Sequence, residues 1–202
     1  MSDRSVVDAG DGFNFVTAGG QATITSGDGA DMVMAGDGGT VSSGSGDDLV
    51  KVGRGSEVTT GLGDDRLMVG GGGTIHFNRG DGNDSIGGGE FGQAYAATDN
   101  LSSSILSFGT GIAPADLVMQ RKGNDLVIQV GASDSITLKD VQRHGIPTMT
   151  FADGSVLAAA QVEAAVGPAE PYQPMSQVVQ RWYDANAAYR AQQQVTDAAR
   201  MG

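Results

Sequence analysis

The chain has 202 residues, of which 33 are glycine and none is cysteine, and its formal net charge is −12. Strong acidity disfavours nucleic acid as a partner and favours cations. The lack of cysteine excludes disulfides, a thiol nucleophile and thiolate-bound metals. The first ten residues lack the apolar core of a signal peptide, and no apolar run reaches the roughly 18 residues of a membrane span. We therefore expect a chain without a membrane span that binds cations rather than nucleic acid.

A repeat of 17 residues begins near the N-terminus. Its apolar anchors form two interleaved series, Val16, Val33, Val50 and Leu67, and Ile24, Val41, Val58 and Ile75. Each period thus contains a nine-residue long unit and an eight-residue short unit, and a fifth long unit ends at Ile86 after a two-residue insertion near His76–Asn78. Each unit predicts a Gly-rich turn and a strand of about three or four residues. Two units make one coil of a right-handed parallel β-roll, because a single unit cannot bury its own apolar side chain.

Long and short units differ two residues before the apolar anchor. Long units have Asn14, Asp31, Asp48, Asp65 and Asp84 there, whereas short units have Ala22, Gly39, Ser56 and Gly73. Long units also carry glycine pairs, which are Gly10 and Gly12, Gly27 and Gly29, Gly44 and Gly46, Gly61 and Gly63, and Gly80 and Gly82. Since stacked coils lie about 4.8 Å apart, the carboxylates should form a ladder on one edge that repels itself without a cation. Calcium suits this edge, because it accepts six or more oxygens, including backbone carbonyls.

The long units read SGDGADMVM, SGSGDDLVK, TGLGDDRLM and RGDGNDSIG, and they resemble the RTX nonapeptide GGxGxDxUx. The resemblance covers about residues 9–87. It implies that calcium lies between same-edge turns of adjacent coils, held by the turn carbonyls of the glycine pairs and by the aspartates. It predicts about four Ca²⁺ ions, mainly on one edge, with the weakest site at Asn14. The short units lack the aspartate, which argues against a second metal edge.

A second segment resembles the haemolysin-type calcium-binding-related region that follows such repeats in secreted bacterial proteins. It comprises LSFGTGIAPADLVMQRKGNDLVIQV, DSITLKDV and MTFADGSVL. We expect strands at Asp116–Gln120, Asp125–Val130, Ser135–Leu138 and Thr148–Phe151, with turns at Lys122–Asn124 and Asp153–Gly154. An antiparallel β cap of this kind would cover the open end of the last coil. Its predicted core residues are Leu106, Phe108, Leu117, Leu126, Ile128, Ile136, Leu138, Met149 and Phe151.

The last part of the chain changes character after a proline-rich break at Gly167–Pro174. Helical spacing of apolar residues then predicts an amphipathic helix of about four to six turns, carried by Met175, Val178, Trp182, Ala185 and Tyr189. This helix has three possible roles: it could pack on the cap, pair with another chain, or form part of an export signal. The predicted all-β organisation is a β-roll at residues 1–90, a β-rich cap at 91–166, and a linker with a C-terminal helix at 167–202.

No enzyme is predicted, because the two histidines, His76 on a solenoid strand and His144 in a loop, lie in no catalytic motif. The RTX resemblance implies a bacterial protein exported by type I secretion machinery, and hence an extracellular module that folds on calcium at roughly 10⁻⁴ to 10⁻³ M. The exposed first coil would need either an upstream domain of a larger parent protein or a partner to cover it. The predicted function is a structural and secretion module.

A surface-binding module is the alternative prediction. Outward positions of the short-unit strands form two polar rows, Thr23, Thr40, Glu57 and Thr74, and Thr25, Ser42, Thr59 and His76. A flat threonine ladder would suit an adhesin that binds ice or a glycan. Threonine is also a common residue on exposed strands, and Glu57 and His76 interrupt the rows.

Overall fold

The computed structural model of the protein describes residues 4–88 and 100–167. It is a β-solenoid of about five turns, in which 17-residue coils stack on one another. The strands of successive coils pair in parallel and contribute to two eight-stranded sheets. The long-unit strands form one sheet, here sheet B: β2 (Phe15–Thr17), β4 (Met32–Ala35), β6 (Leu49–Val52), β8 (Arg66–Val69) and β10 (Asn83–Gly87). The short-unit strands and the preceding strand form sheet A: β1 (Val6–Asp8), β3 (Thr23–Thr25), β5 (Thr40–Ser45), β7 (Glu57–Leu62) and β9 (Thr74–Phe77).

Strand register follows the predicted period and places the core between the two sheets. In sheet B, Val33 pairs with Val16 and Val50, and in sheet A, Val41 pairs with Ile24 and Val58. All nine predicted anchors are buried. The predicted parallel β-solenoid is thus confirmed, with the turns of long and short units on opposite edges of the two sheets.

The two-residue insertion lies between β9 and β10, where the sequence predicted it, and it joins the solenoid to the cap. The guanidinium of Arg79 donates from Nε to the carbonyl oxygen of Gly111 at 2.8 Å and from Nη2 to Asp116 Oδ2 at 2.9 Å. Beside it, the buried ring of Phe77 packs edge-on against Phe108, with centroids 6.1 Å apart. The insertion therefore breaks the 17-residue period at the coil that contacts the cap.

The cap contains β11 (Ile105–Phe108), β12 (Leu117–Lys122), β13 (Asp125–Val130), β14 (Asp134–Leu138), β15 (Thr148–Phe151) and β16 (Val156–Leu157). Strands β12, β13 and β14 are antiparallel, as are β15 and β16. The predicted turn is confirmed at Gly123, whose φ is +63°, and all nine predicted core residues are buried. The cap also continues the solenoid, because β14 pairs in parallel with β10 and β11 pairs in parallel with β9 and β15.

Two short helices accompany these strands, α1 (Val141–His144) and α2 (Ala159–Val166), and 3₁₀ turns lie at Leu101–Ser103 and Pro114–Asp116. The prediction for His144 was wrong, because this residue ends α1 and is only 3% exposed. The loop prediction failed because local sequence carries no sign of the packing that buries it. Helix α2 was not predicted either. Its Val162 side chain is buried in the common core.

The predicted C-terminal helix at residues 175–189 lies outside the described residues, and the three-domain division remains a prediction. Within residues 4–88 and 100–167, no helix is long and apolar enough to cross a membrane.

Candidate metal centre

The four long-unit aspartates form a ladder along one edge of the solenoid. Each Oδ1 accepts a hydrogen bond from a backbone N–H at the equivalent position of the preceding coil. The N···O distances are 2.7 Å for Asn14 to Asp31, 2.7 Å for Asp31 to Asp48, 2.8 Å for Asp48 to Asp65 and 3.1 Å for Asp65 to Asp84. The structure thus places these carboxyl groups one above another, on consecutive coils.

The second oxygen of three of these groups has no partner. Asp31, Asp48 and Asp65 are 1–2% exposed, and the Oδ2 atom of each is buried without a hydrogen bond. An ionised carboxylate can accept about four hydrogen bonds, and leaving a buried acceptor unsatisfied costs about 1–3 kcal/mol, more when it is charged. Three buried carboxyl oxygens without a hydrogen bond thus lie in one row, on consecutive coils.

The glycine pairs bring backbone carbonyls to the same edge. All ten paired glycines have positive φ angles, a conformation that glycine adopts without steric cost. A Cβ on Gly27 would lie 2.6 Å from the carbonyl carbon and oxygen of Gly10, and a Cβ on Gly44 would collide with the carbonyl oxygen of Gly27. The carbonyls of the first glycines therefore point along the solenoid axis at the next turn. Their oxygens, like the carboxylates, suit a hard cation.

The second glycines of the pairs stack in the same way, up to the end of the repeat. A Cβ on Gly63 would collide with the carbonyl oxygen of Gly46, and a Cβ on Gly82 would collide with that of Gly63. The backbone N–H of Gly63 donates to the carbonyl oxygen of Asp81 at 2.8 Å. This row therefore continues through the fourth and fifth turns despite the insertion between them.

The last turn differs from the others in what its glycines contact. The carbonyl oxygen of Gly82 accepts from Ser135 N at 2.9 Å, and the N–H of Gly80 donates to Asp134 Oδ2 at 2.8 Å. The cap thus occupies one lone pair of Gly82, which the repeat pattern had assigned to a metal ion in the same way as Gly63. The roles of Gly63 and Gly82 as calcium ligands remain predictions, and Gly82 has the weaker geometric support.

Burial raises the pKa values of three ladder carboxyl groups, Asp48, Asp65 and Asp84, and repulsion from neighbouring acids adds to the effect. Desolvation is the largest cause, and it raises the pKa of Asp65 from 3.8 to about 6 and that of Asp84 to about 8. The pKa of Asp48 is raised by the same cause, with smaller contributions from the charges of Asp31 and Asp47. Backbone hydrogen bonds act in the opposite direction at all three groups, as do the side-chain hydroxyls of Ser43 at Asp48 and Thr60 at Asp65. Together they only partly offset burial. The charged forms of Asp48, Asp65 and Asp84 are therefore disfavoured by their surroundings in the fold.

Asn14, which replaces the acid in the first turn, makes a different set of contacts. Its Nδ2 lies 2.8 Å from the carbonyl oxygen of Gly10, 3.0 Å from that of Gly12 and 3.2 Å from that of Ser26. All three partners are acceptors, which fixes the nitrogen, rather than the oxygen, of the amide at this position. Three backbone carbonyls thus surround one point in this turn.

The opposite edge, formed by the short-unit turns, contains no comparable carboxylate ladder among the described residues. Ser56, at the position equivalent to the aspartates, accepts from Gly39 N at 3.2 Å and donates to the carbonyl oxygen of Gly36 at 3.4 Å. Asp37 is exposed, and its Oδ1 accepts from Arg54 N at 2.7 Å. The hydroxyl of Ser56 is satisfied by protein alone, without a cation.

Sequence reasoning missed two buried acids at the cap end of the ladder, Asp81 and Asp134, which are 4% and 5% exposed. Asp81 Oδ2 accepts from Asn78 N at 2.7 Å. Burial raises the pKa of Asp81, and repulsion from Asp134 adds to that effect. For Asp81, the sequence signal was its position between Gly80 and Gly82, the glycine pair of the fifth turn. Its inward orientation depends on the insertion at Asn78.

Other acids line the outer surface of the same turns. Asp47 Oδ1 accepts from Asp64 N at 2.9 Å, and Asp64 Oδ1 accepts from Asn83 N at 2.9 Å. These exposed groups add negative charge near the ladder. Over residues 4–88 and 100–167, no three side chains of His, Cys, Asp or Glu are grouped for metal binding. Any cation at this edge would therefore depend on backbone carbonyls for most of its ligands.

No protein-family model matches the chain, and no curated protein matches it either. The resemblance to RTX proteins is therefore supported by the repeat motif alone, and the β-solenoid fold is supported by the structure.

Proposed function

We propose that the protein is a calcium-binding module of the RTX type, in which Ca²⁺ ions bind along the long-unit edge. The observation that supports this most strongly is the row of unpartnered, buried Oδ2 atoms of Asp31, Asp48 and Asp65. A cation next to each would supply a partner for a buried carboxylate oxygen. At Asp48 and Asp65 it would also favour the charged form, which burial disfavours.

The chemistry of the ligands favours calcium over magnesium. Each site offers one or two carboxylates and several carbonyl oxygens from glycine turns. Calcium takes six to eight oxygens at 2.3–2.6 Å in flexible geometry, whereas magnesium demands a small octahedron and keeps several waters. A carbonyl-rich edge repeated at the spacing of β-strands suits the larger ion.

Calcium binding would also drive folding. The positive-φ turns bring carboxylates and carbonyls of successive coils together only in the folded chain, so an ion that binds there stabilises the fold by mass action. The RTX resemblance extends the proposal to a structural and secretion element of a bacterial protein, exported by type I machinery and folded in extracellular calcium. The ladder itself supports the calcium step of that proposal.

Removal of one ladder carboxylate tests the calcium sites. Asp48→Ala removes a charged ligand and should raise the calcium midpoint by about tenfold, or about 1.4 kcal/mol per site. Asp37→Ala is the matched control, because Asp37 and Asp48 each accept one 2.7 Å hydrogen bond from a backbone N–H of the adjacent coil. Equilibrium titration with a chromophoric calcium chelator measures both. Equal midpoints for the two variants would refute the metal assignment of the ladder.

The structure aligns one of the polar rows that the surface-binding alternative requires, and Glu57 and His76 still interrupt the two rows. Thr23, Thr40, Glu57 and Thr74 lie in register on sheet A. Glu57 and His76 are held together by a 2.8 Å contact that crosses between the two polar rows. An ice-recrystallisation assay and a glycan array on calcium-loaded protein would distinguish this function, and binding in either would move it to first place.

A further inference from the structure

We propose that the side-chain amide of Asn14 takes the place of a calcium ion in the first long-unit turn. The ladder would then bind three ions, in the turns of Asp31, Asp48 and Asp65, instead of four. This inference depends on the calcium-binding function proposed above, and it assigns Asn14 a role as the metal-independent end of the ladder.

The first step is the position of the amide nitrogen. Nδ2 of Asn14 makes three contacts of 2.8–3.2 Å to backbone carbonyl oxygens, two from the glycine pair of its own turn and one from Ser26, which precedes the next turn. An amide NH₂ group has two hydrogens with partial positive charge. It therefore supplies, at one point, the same kind of attraction to carbonyl dipoles that a cation supplies.

The second step is that the same three carbonyl positions recur in the following turns. Parallel register at an interval of 17 residues makes Gly27, Gly29 and Ser43 equivalent to Gly10, Gly12 and Ser26 around Asp31. The next coil repeats the set with Gly44, Gly46 and Thr60 around Asp48. In these turns a carboxylate stands where the first turn has an amide. The carboxylate then faces carbonyl oxygens, and a cation between them would remove the repulsion that the hydroxyl contacts of Ser43 with Asp48 and of Thr60 with Asp65 do not cancel.

The third step is the count. The buried Oδ2 atoms without a partner belong to Asp31, Asp48 and Asp65. Asp84 lies in the fifth turn, where the insertion changes the surroundings and Asp81 takes an inward position bonded to Asn78. Three unpartnered oxygens therefore match three ions, with Asn14 closing one end of the ladder and the cap closing the other.

A reciprocal exchange of amide and carboxylate tests the proposal. Asn14→Asp should create a calcium site in the first turn, and Asp48→Asn should fill the third turn with its own amide. Native mass spectrometry of calcium-loaded protein should count three ions in the wild type, four in Asn14→Asp and two in Asp48→Asn. Asn14→Ala, which can neither donate nor bind, is the control and should retain three.

Hydrogen exchange provides a second readout that separates the two proposals. In the wild type, calcium should slow exchange at turns 27–31 and 44–48 at least about tenfold more than at residues 10–14. In Asn14→Asp, residues 10–14 should gain the same protection from calcium as those two turns. In Asn14→Ala, residues 10–14 should stay less protected than in the wild type when calcium is present.

The outcomes distinguish the two claims. If turns 27–31 and 44–48 respond to calcium but residues 10–14 of Asn14→Asp do not, the Asn14 inference is overturned and the calcium function stands. A wild type that binds four ions, one of them at the first turn, also overturns it. If no turn of the wild type responds to calcium, the proposed function fails, and the role of Asn14 as a substitute for an ion fails with it.

Discussion

The two edges of the solenoid use similar turns but differ in what completes them. Both contain glycines with positive φ angles, and both join the same pair of sheets. On the short-unit edge, the equivalent side chain is absent, apolar or the hydroxyl of Ser56, which the backbone satisfies. On the long-unit edge it is a buried carboxylate with one free oxygen in three successive coils. The two edges therefore differ at one position of each unit, two residues before the apolar anchor. Only on the long-unit edge does this position leave buried oxygens without a hydrogen bond.

This contrast also explains the marginal stability expected of the metal-free chain. In the repeat, each unit contributes only one or two buried apolar side chains to the core, mostly Val, Ile, Leu and Ala. Each ladder carboxylate adds a cost of burial that these anchors must offset. On the proposed function, a cation on the long-unit edge would remove that cost, and the short-unit edge would not require one. The predictions below test this difference, beginning with the largest effect.

The closely stacked glycines in the middle of the long-unit edge should tolerate substitution poorly. Gly44→Ala puts a Cβ onto the carbonyl oxygen of Gly27 in a residue with φ of +101°. Strain and collision together should lower the free energy of unfolding by about 3 kcal/mol or more. Gly55→Ala, on the short-unit edge, has a φ of +64° and open space around the new Cβ, and should cost about 1 kcal/mol. Urea unfolding in saturating calcium measures both, and equal losses would contradict close stacking of the long-unit turns.

Metal-free protein should be more stable at pH 5 than at pH 8. Burial raises the pKa of Asp65 to about 6 and that of Asp84 to about 8, from 3.8. Between pH 3.8 and these raised values the folded state holds protons that the unfolded chain releases, so stability falls as the pH rises from about 4 to about 8. Urea midpoints of protein freed of metal on a chelating resin measure the effect. Added calcium should restore the midpoint at pH 8, because the ion replaces the proton.

The control for this pH effect is Asp84→Asn, which removes the group with the highest pKa. Its metal-free urea midpoint should change less between pH 5 and pH 8 than that of the wild type. A wild-type midpoint that is the same at both pH values, or higher at pH 8 without metal, would contradict the account of a ladder held together by protons in the absence of calcium.

Ser56→Ala should produce the smallest of these changes. It removes two hydrogen bonds of 3.2 and 3.4 Å on the short-unit edge, which should lower the free energy of unfolding by about 1 kcal/mol. The number of bound calcium ions should stay the same, as counted by native mass spectrometry. Loss of an ion in this variant would show that the short-unit edge takes part in metal binding.

The sequence predicted the regular part of this molecule well, because a fixed interval in a parallel solenoid converts directly into spatial neighbours. The anchors and the stacked carboxyl groups follow from the interval alone. The contacts of Asn14 did not, since spacing places a residue without giving the direction of its amide or of the carbonyls around it. Asp134, the contact of Gly82 with the cap and the parallel pairing of β14 with β10 depend on residues about 50 positions apart, which no local pattern reveals.

Far-UV circular dichroism of the metal-free protein at pH 8, titrated with Ca²⁺ and separately with Mg²⁺, tests the central claim most directly. We predict a cooperative gain of β-sheet signal with Ca²⁺ and little change with Mg²⁺ over the same range. A spectrum that already shows full β structure in chelator, and that neither ion changes, would contradict the claim that the long-unit edge requires calcium.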